Sequence, residues 1–205
     1  MKDSNELIDF FVKTSSLKRT FRYSSCPERI QEPTAGHAWM VTFMVPILAE
    51  VFDIDIDVSH AMEIANVHDL PEYVLDYDYD SYLVATGALK QSDKEKEEMS
   101  VMSKIKDDYG FGDRLFSLWK EYEDGESREA KYVKAIDKLE CHLHIIERGG
   151  TWSGVGDAKH QVEYADKAVR NFPELEPFLK SLKKKLRPLM EKQGLVWKQE
   201  YDYPE

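Results

Sequence analysis

The amino-acid sequence predicts an all-α fold, a single globular domain of about seven or eight helices over residues 1–205. Three observations lead to this prediction. Apolar residues recur at helical spacing along most of the chain, whereas strand-like alternation is confined to short runs. The composition, with 42% hydrophobic and 12% aromatic residues, is that of a folded globular protein. The sequence contains no internal repeat and no linker long enough to separate two domains.

The first half of the chain contains two strong helix patterns. The segment 36–52 is apolar almost all round, as expected for a helix buried in the core, and Pro46 is expected to kink it. The next helix is predicted to begin at its cap, Asp57 or Ser59. It should end or bend near Pro71, because a proline disfavours helical geometry in the residue before it.

The second half predicts five further helices. They are expected over residues 92–110, 112–125, 127–150, 159–171 and 174–193. Ser92 and Glu95 have the spacing of a capping box at the start of the first of them. Two glycines are expected to stop the third, which carries an apolar stripe. The C-terminal tail is expected to be partly frayed.

Cysteine content and the N-terminus indicate a cytoplasmic protein. The two cysteines, Cys26 and Cys141, are far apart and provide neither a disulfide framework nor a CxxC metal motif. Any bound metal must therefore use histidine and carboxylate ligands. Residues 1–16 are acidic and polar, unlike a signal peptide, and their apolar positions at 7–11 fit a short amphipathic helix.

Charge and hydropathy limit the partners. The formal net charge is −11, which argues against a nucleic-acid polymer as a partner. The basic run over 181–192 has the spacing of the solvated face of an amphipathic helix. No window holds about 18 uninterrupted apolar residues, so a membrane-spanning helix is not expected.

His68 and Asp69 stand close before Pro71 and suggest a metal site. Neighbouring helix residues point about 100° apart, so both can bind one ion only over a helix end or in a crevice between helices. Two ligands do not hold a metal, and His37 and Asp137 are the candidates for the others. This nitrogen–oxygen set suits one divalent ion of Mn, Co, Mg, Fe or Zn. Such sites typically keep positions open for substrate and water, as catalytic sites do.

The spacing alone leaves structural alternatives open. A single His-Asp pair occurs by chance in many chains of this length, and His37 alone is more typical of a hydrogen-bonded residue at a helix start. Asp137 alone could pair with Lys134 or Lys138 as a surface ion pair of little energetic value. Two histidines of the same helix could compete as ligands: His142 and His144.

Four stretches, LKRTFR, GHAWMV, VHDLPE and SREAKYVKAIDKLE, resemble the HD-domain phosphohydrolases. Within that family they are most similar to the 5'-deoxynucleotidase branch, which has a similar E-A-K-x-V-K-x-x-D-K-x-E helix. The resemblance implies an HD-domain helical fold with a metal-binding core at about 17–148 and C-terminal helices at 155–195. It also implies that one divalent metal is bound by four residues: His37, His68, Asp69 and Asp137.

The resemblance implies further roles around the metal. By position, Glu72 corresponds to a catalytic residue, Arg22 to a phosphate contact and Tyr23 to an aromatic side chain beside the sugar. Lys18 or Arg19 would assist Arg22, whose guanidinium offers a fork of donors to a phosphate.

Two positions depart from the family pattern. Gly36 stands where the family usually has an acidic residue before the first histidine. Tyr77 stands where the family has the last residue of a Gly-Asp pair, with Asp76 and Asp78 on either side. Either aspartate is therefore a candidate for orienting water or holding a sugar hydroxyl, and the substrate preference stays open.

The expected function is release of phosphate from (deoxy)nucleoside 5'-monophosphates by in-line attack of metal-activated water. One alternative is a nucleoside triphosphohydrolase, favoured if LKRTFR and Lys134 all face the metal, because longer phosphate chains need more cations. Another is a non-catalytic, metal-binding helical interaction module. Relatives on this scaffold are often dimers, so a homodimer is expected, with residues 7–11 or the C-terminal helix at its interface.

Overall fold

The all-α prediction is confirmed by a computed structural model, which describes residues 4–24, 30–75, 77–79, 81–149 and 159–203. The helices are α1 (Ser4–Thr14), α2 (Thr34–Val51), α3 (Val58–Val67), α4 (Glu72–Leu75), α5 (Ser81–Ala85), α6 (Gln91–Asp108), α7 (Gly112–Asp124), α8 (Arg128–Glu147), α9 (Lys159–Glu163), α10 (Asp166–Val169) and α11 (Glu176–Lys192). Within these described ranges seven helices have ten or more residues, which agrees with the expected number. Two strands, β1 (Phe21–Arg22) and β2 (Glu32–Pro33), pair antiparallel with Arg22 opposite Glu32.

The core is built around α8. This helix packs against α2, α3, α7, α10 and α11, and twelve of its twenty residues are buried. Tyr132 donates its hydroxyl to the carbonyl of Val45 at 3.0 Å and so ties α8 to α2. One cluster of buried apolar side chains extends from Phe10 in α1 to Tyr203 near the C-terminus. Polar side chains on α8 are therefore held in a rigid frame.

Helix α2 continues past Pro46, and its ends lie within two residues of those predicted. By length and composition it is long and apolar enough to cross a membrane, but it is packed into the core against α3 and α8. The prediction that it is buried all round is wrong for one face. Four residues spaced one helical turn apart are exposed there: Trp39, Phe43, Ile47 and Val51. Its neighbours cover only the opposite side.

Helix α3 has the predicted cap and the predicted end. The side chain of Asp57 accepts a hydrogen bond from the backbone N–H of His60 at 3.0 Å. The helix ends at Val67, and a turn leads through Pro71 into α4. This early end leaves His68 just beyond the last helical residue.

Two predictions in the second half are wrong. Helix α6 begins at Gln91 with Lys90 as its N-cap and no side-chain capping bond, so Ser92 and Glu95 lie inside the first turns and form no capping box. The helix predicted over 159–171 is divided into α9 and α10 by a turn. The predicted start of the C-terminal helices at 155 lies outside the described residues.

The tail is not frayed as far as the structure describes it. Tyr201 is fully buried, and Trp197 packs beside it in a second apolar cluster. Lys183 donates to the carbonyl of Tyr201 at 2.8 Å and to Asp166 at 2.7 Å. A buried ammonium needs such partners, and here they anchor the tail to α11.

Candidate active site

Two histidines from different helices meet in the core. His37 lies in the first turns of α2 and is fully buried, and His68 directly follows α3 and is 3% exposed. Their Nε2 atoms are 3.3 Å apart. The end of α3 makes this meeting feasible, because it turns His68 from the helix toward α2.

Hydrogen bonds on the far side of each ring decide which nitrogen carries the proton. Nδ1 of His68 lies 2.7 Å from the carbonyl of Ala65, which can only accept, so Nδ1 must donate. Nδ1 of His37 lies 2.5 Å from the carboxylate of Glu140 and donates in the same way. In the neutral rings both Nε2 atoms therefore carry lone pairs that point at one another. Such an arrangement suits a cation between them, and support of the second nitrogen is typical of metal-binding histidines.

Two carboxylates complete the group. Oδ2 of Asp69 is 3.1 Å from Nε2 of His68 and 3.7 Å from Nε2 of His37. It is buried, and it has no hydrogen-bond partner among the described residues. Oδ1 of Asp137 is 3.2 Å from Nε2 of His37. The two nitrogens and the Asp69 oxygen have the chemistry that a divalent cation needs, and the Asp137 oxygen adjoins this set at His37. The possible ligand atoms of His37, His68 and Asp69 all lie within 4.8 Å of one another.

Asp137 is not the surface ion pair that its spacing left open. It is buried, and its Oδ2 accepts hydrogen bonds from the hydroxyl of Tyr122 at 2.7 Å and the ammonium of Lys138 at 2.8 Å. Burial alone would raise the pKa of Asp137, but the charge of Lys138 and, in the metal-free protein, a protonated His37 outweigh it and hold the pKa well below its usual range. Asp137 is therefore an anion with its second oxygen directed at His37.

A second acidic group surrounds the far side of His37. Glu32, His37 and Glu140 are close enough to hold an ion by residue type. However, the guanidinium of Arg22 already lies 3.7 Å from the carboxylates of both Glu32 and Glu140. We interpret this group as the support that orients His37. Sequence reasoning missed Glu140, although its position one turn after Asp137 on the same helix was a usable signal.

Glu72 lies beside the group at the start of α4. It is 4% exposed, and Thr34 donates its hydroxyl to Oε2 at 2.6 Å. Burial raises the pKa of Glu72 well above its usual range, and the charges of Asp69 and Asp78 raise it further. A carboxyl with a raised pKa holds its proton more readily and can act as an acid or a base. Asp78 lies next to it, whereas Asp76 is outside the described residues.

We call His37, His68, Asp69 and Asp137 the metal-ligand group. Its two aspartates lie at the wall of a cavity of about 380 Å³, a size suited to a small molecule. Asp69, Asp78 and Asp137 line it together with Arg22 and Tyr23. Tyr23 adopts a left-handed backbone, with φ of 62°, which is unfavourable for a tyrosine. Its ring stacks on His144 at 5.2 Å, and this contact holds the unusual turn in place.

Other predicted residues lie elsewhere. Lys18 and Arg19 lie between α1 and β1 and are outside the described lining of the cavity, so their assistance to Arg22 stays a prediction. Besides Arg22, three lysines of α6 and α8 line the described part of the cavity: Lys94, Lys134 and Lys138. Two predicted competitors for the metal, His142 and His144, belong to neither of the possible ligand groups among the described residues; their Nε2 atoms lie 2.6 Å from the carbonyls of Gln161 and Ile30.

The chain is similar to known proteins in both sequence and fold. The HD domain family matches residues 14–176. A 5'-deoxynucleotidase HDDC2 from Danio rerio is 27% identical over 147 residues, which is 70% of each chain. The Homo sapiens protein of the same name is 24% identical over 148 residues, which is 70% of this chain and 69% of that one. A solved Pyrococcus horikoshii OT3 protein has a TM-score of 0.71 at 26% identity, with 87% of this chain and 99% of that one covered. A Magnetospirillum magnetotacticum MS-1 protein, described as a predicted metal-dependent phosphohydrolase, has a TM-score of 0.66 at 24% identity, with 98% and 95% covered, and supports the fold.

Proposed function

Because the chain belongs to the HD domain family, we propose that it is a metal-dependent phosphohydrolase that releases phosphate from (deoxy)nucleoside 5'-monophosphates. The observation that carries this proposal is the pair of Nε2 atoms, 3.3 Å apart, beside two carboxylates at the wall of a cavity. Relatives named 5'-deoxynucleotidase support the choice of substrate.

His37, His68, Asp69 and Asp137 would hold one divalent ion. When bound, such an ion neutralises phosphoryl charge and lowers the pKa of a water. The ligand set does not select among Mn, Co, Mg, Fe and Zn. The hydrogen bonds from Tyr122 and Lys138 to Asp137 keep that carboxylate oriented whether or not an ion is present.

Glu72 and Asp78 would handle protons and water. The raised pKa of Glu72 lets it give a proton to the leaving ribose oxygen or take one from the attacking water. Thr34 holds one carboxyl oxygen of Glu72 and so orients the other. Asp78 lines the cavity and would orient water or accept a hydrogen bond from a sugar hydroxyl. Asp76, outside the described residues, stays a prediction for the same role.

Arg22 and Tyr23 would bind the substrate. Two terminal nitrogens of the Arg22 guanidinium offer donors to a phosphate at the cavity wall. Its own charge is already partly balanced by Glu32 and Glu140, so it would contribute geometry more than net charge. The ring of Tyr23 is placed to pack against the sugar.

Removal and return of a metal tests the proposal. We expect protein dialysed against a chelator to lose phosphate release from deoxyribonucleoside monophosphates, and Mn or Co to restore it, because a bound ion would neutralise phosphoryl charge and lower the pKa of the attacking water. The assay would use a panel of deoxy- and ribonucleoside mono- and triphosphates, and it would quantify free phosphate and free triphosphate separately.

The outcomes separate the candidate functions. Metal-dependent release of triphosphate would favour a triphosphohydrolase. That reading has lost support, because Lys134 lines the cavity but Lys18 and Arg19 lie outside its described lining. Metal binding with no release from any nucleotide would leave the non-catalytic module as the function.

We also propose that the whole chain, 1–205, acts as one domain and forms a homodimer in the cytoplasm. A single apolar cluster joins α1 with the C-terminal Tyr203, which supports one domain. Ile8 and Phe11 of α1 are more than half exposed and fit the interface expected at residues 7–11. Sedimentation at the mass of a single chain, 23.9 kDa, would contradict the dimer.

A further inference from the structure

The cations at the cavity wall differ in what they are paired with. Lys138 contacts Asp137 at 2.8 Å, Lys94 contacts Glu98 at 3.6 Å, and Arg22 lies between Glu32 and Glu140. Lys134 forms no ion pair with any carboxylate in the described parts of the chain, although it is half-buried in the same wall.

The fold holds this ammonium in place by other means. Nζ of Lys134 lies 4.3 Å from the centroid of the Tyr122 ring. This cation–π contact holds the ammonium without neutralising its charge. The aliphatic stem passes over Gly125, whose backbone is left-handed at φ of 60°. A Cβ at Gly125 would lie 2.9 Å from Cε of Lys134, so the glycine leaves the space that the lysine occupies.

Lys134 is also linked to the metal-ligand group. It lies one helical turn before Asp137 on α8, so the two side chains share a face of the helix. Tyr122, which holds the ammonium with its ring, donates its hydroxyl to Asp137. Burial lowers the pKa of Lys134, with Glu123 opposing that effect, so its charge is kept at a cost that an anionic ligand would relieve.

We propose that Lys134 is a phosphate-binding residue and that its uncommitted ammonium matches the cavity to a single phosphoryl group. This inference rests on the proposed function for the identity of the substrate. One free ammonium beside a divalent ion balances one phosphoryl dianion, whereas a triphosphate chain would need further free cations. The other cations described at the wall are already balanced by carboxylates.

Binding of inorganic phosphate tests this separately from turnover. Titration calorimetry of the Mn-loaded protein with orthophosphate should show Lys134→Met weakening affinity by on the order of tenfold, because methionine keeps the stem but removes the charge. Lys134→Arg should recover most of the affinity. Lys131→Met, a lysine of the same helix outside the described cavity lining, is the matched control and should bind as the wild type does.

In turnover, Lys134→Met should raise KM for monophosphates by a similar factor and leave kcat within about threefold. Metal content and thermal melting check folding, and Lys134→Gln replaces the methionine variant if that one unfolds. Orthophosphate affinity equal to that of the wild type in a folded, metal-loaded variant would overturn the inference. Loss of phosphate release in the wild type with normal orthophosphate binding would overturn the proposed function instead.

Discussion

Asp69→Ala is expected to remove both the metal and the activity. The carboxylate lies 3.1 Å and 3.7 Å from the two Nε2 atoms of the histidine pair, so its removal takes away a ligand that adjoins both rings. We expect metal content after dialysis to fall to background and kcat/KM for a monophosphate to fall by at least about 10²–10³-fold. Elemental analysis and phosphate release measure the two effects.

Thermal melting supplies a third readout for Asp69→Ala. A cation that binds only the folded protein raises its melting temperature with concentration. The wild type should therefore melt higher as Mn is added, whereas the variant should not respond. Asp107→Ala changes an exposed aspartate of α6 and is the matched control, which should respond as the wild type does. Full metal content in Asp69→Ala would contradict the ligand assignment.

Glu72→Gln is expected to separate metal binding from chemistry. Glutamine keeps the size of the side chain and can still accept the hydrogen bond from Thr34. It cannot exchange a proton, so we expect kcat to fall by about 10²–10⁴-fold with metal content unchanged. Glu174→Gln changes an exposed glutamate outside the described cavity lining and should leave kcat as it is. Unchanged turnover in Glu72→Gln would remove this residue from the mechanism.

Glu72→Gln should be at least as stable as the wild type, and the difference in stability should depend on pH. Burial raises the pKa of Glu72 in the folded protein above that of the unfolded chain. Between those two values the unfolded state binds fewer protons, so wild-type stability falls as the pH rises. Glutamine removes this loss. In metal-free protein, the melting temperature of Glu72→Gln should rise relative to that of the wild type as the pH increases from 5 to 8. A growing deficit over that range would show that Glu72 is stabilised as an anion.

Local signals in the sequence predict most of the secondary structure. The cap at Asp57 and the proline at 71 both act within a few residues, and both are found as predicted. Failures occur where distant contacts override local preference. The tail was expected to fray, but Lys183 and a second apolar cluster anchor it. One face of α2 was expected to be covered, and its neighbours pack on the opposite side only.

By itself, the sequence determined the residue types that a metal site needs and the helix end that lets His68 and Asp69 approach one point, because both depend on local backbone geometry. Only the tertiary structure decided that His37 meets His68, that Glu140 turns Nε2 of His37 inward, and that Lys134 rather than Lys18 or Arg19 lines the cavity. Those relations join residues far apart in the chain. They are decided by how the helices pack, which no local spacing encodes.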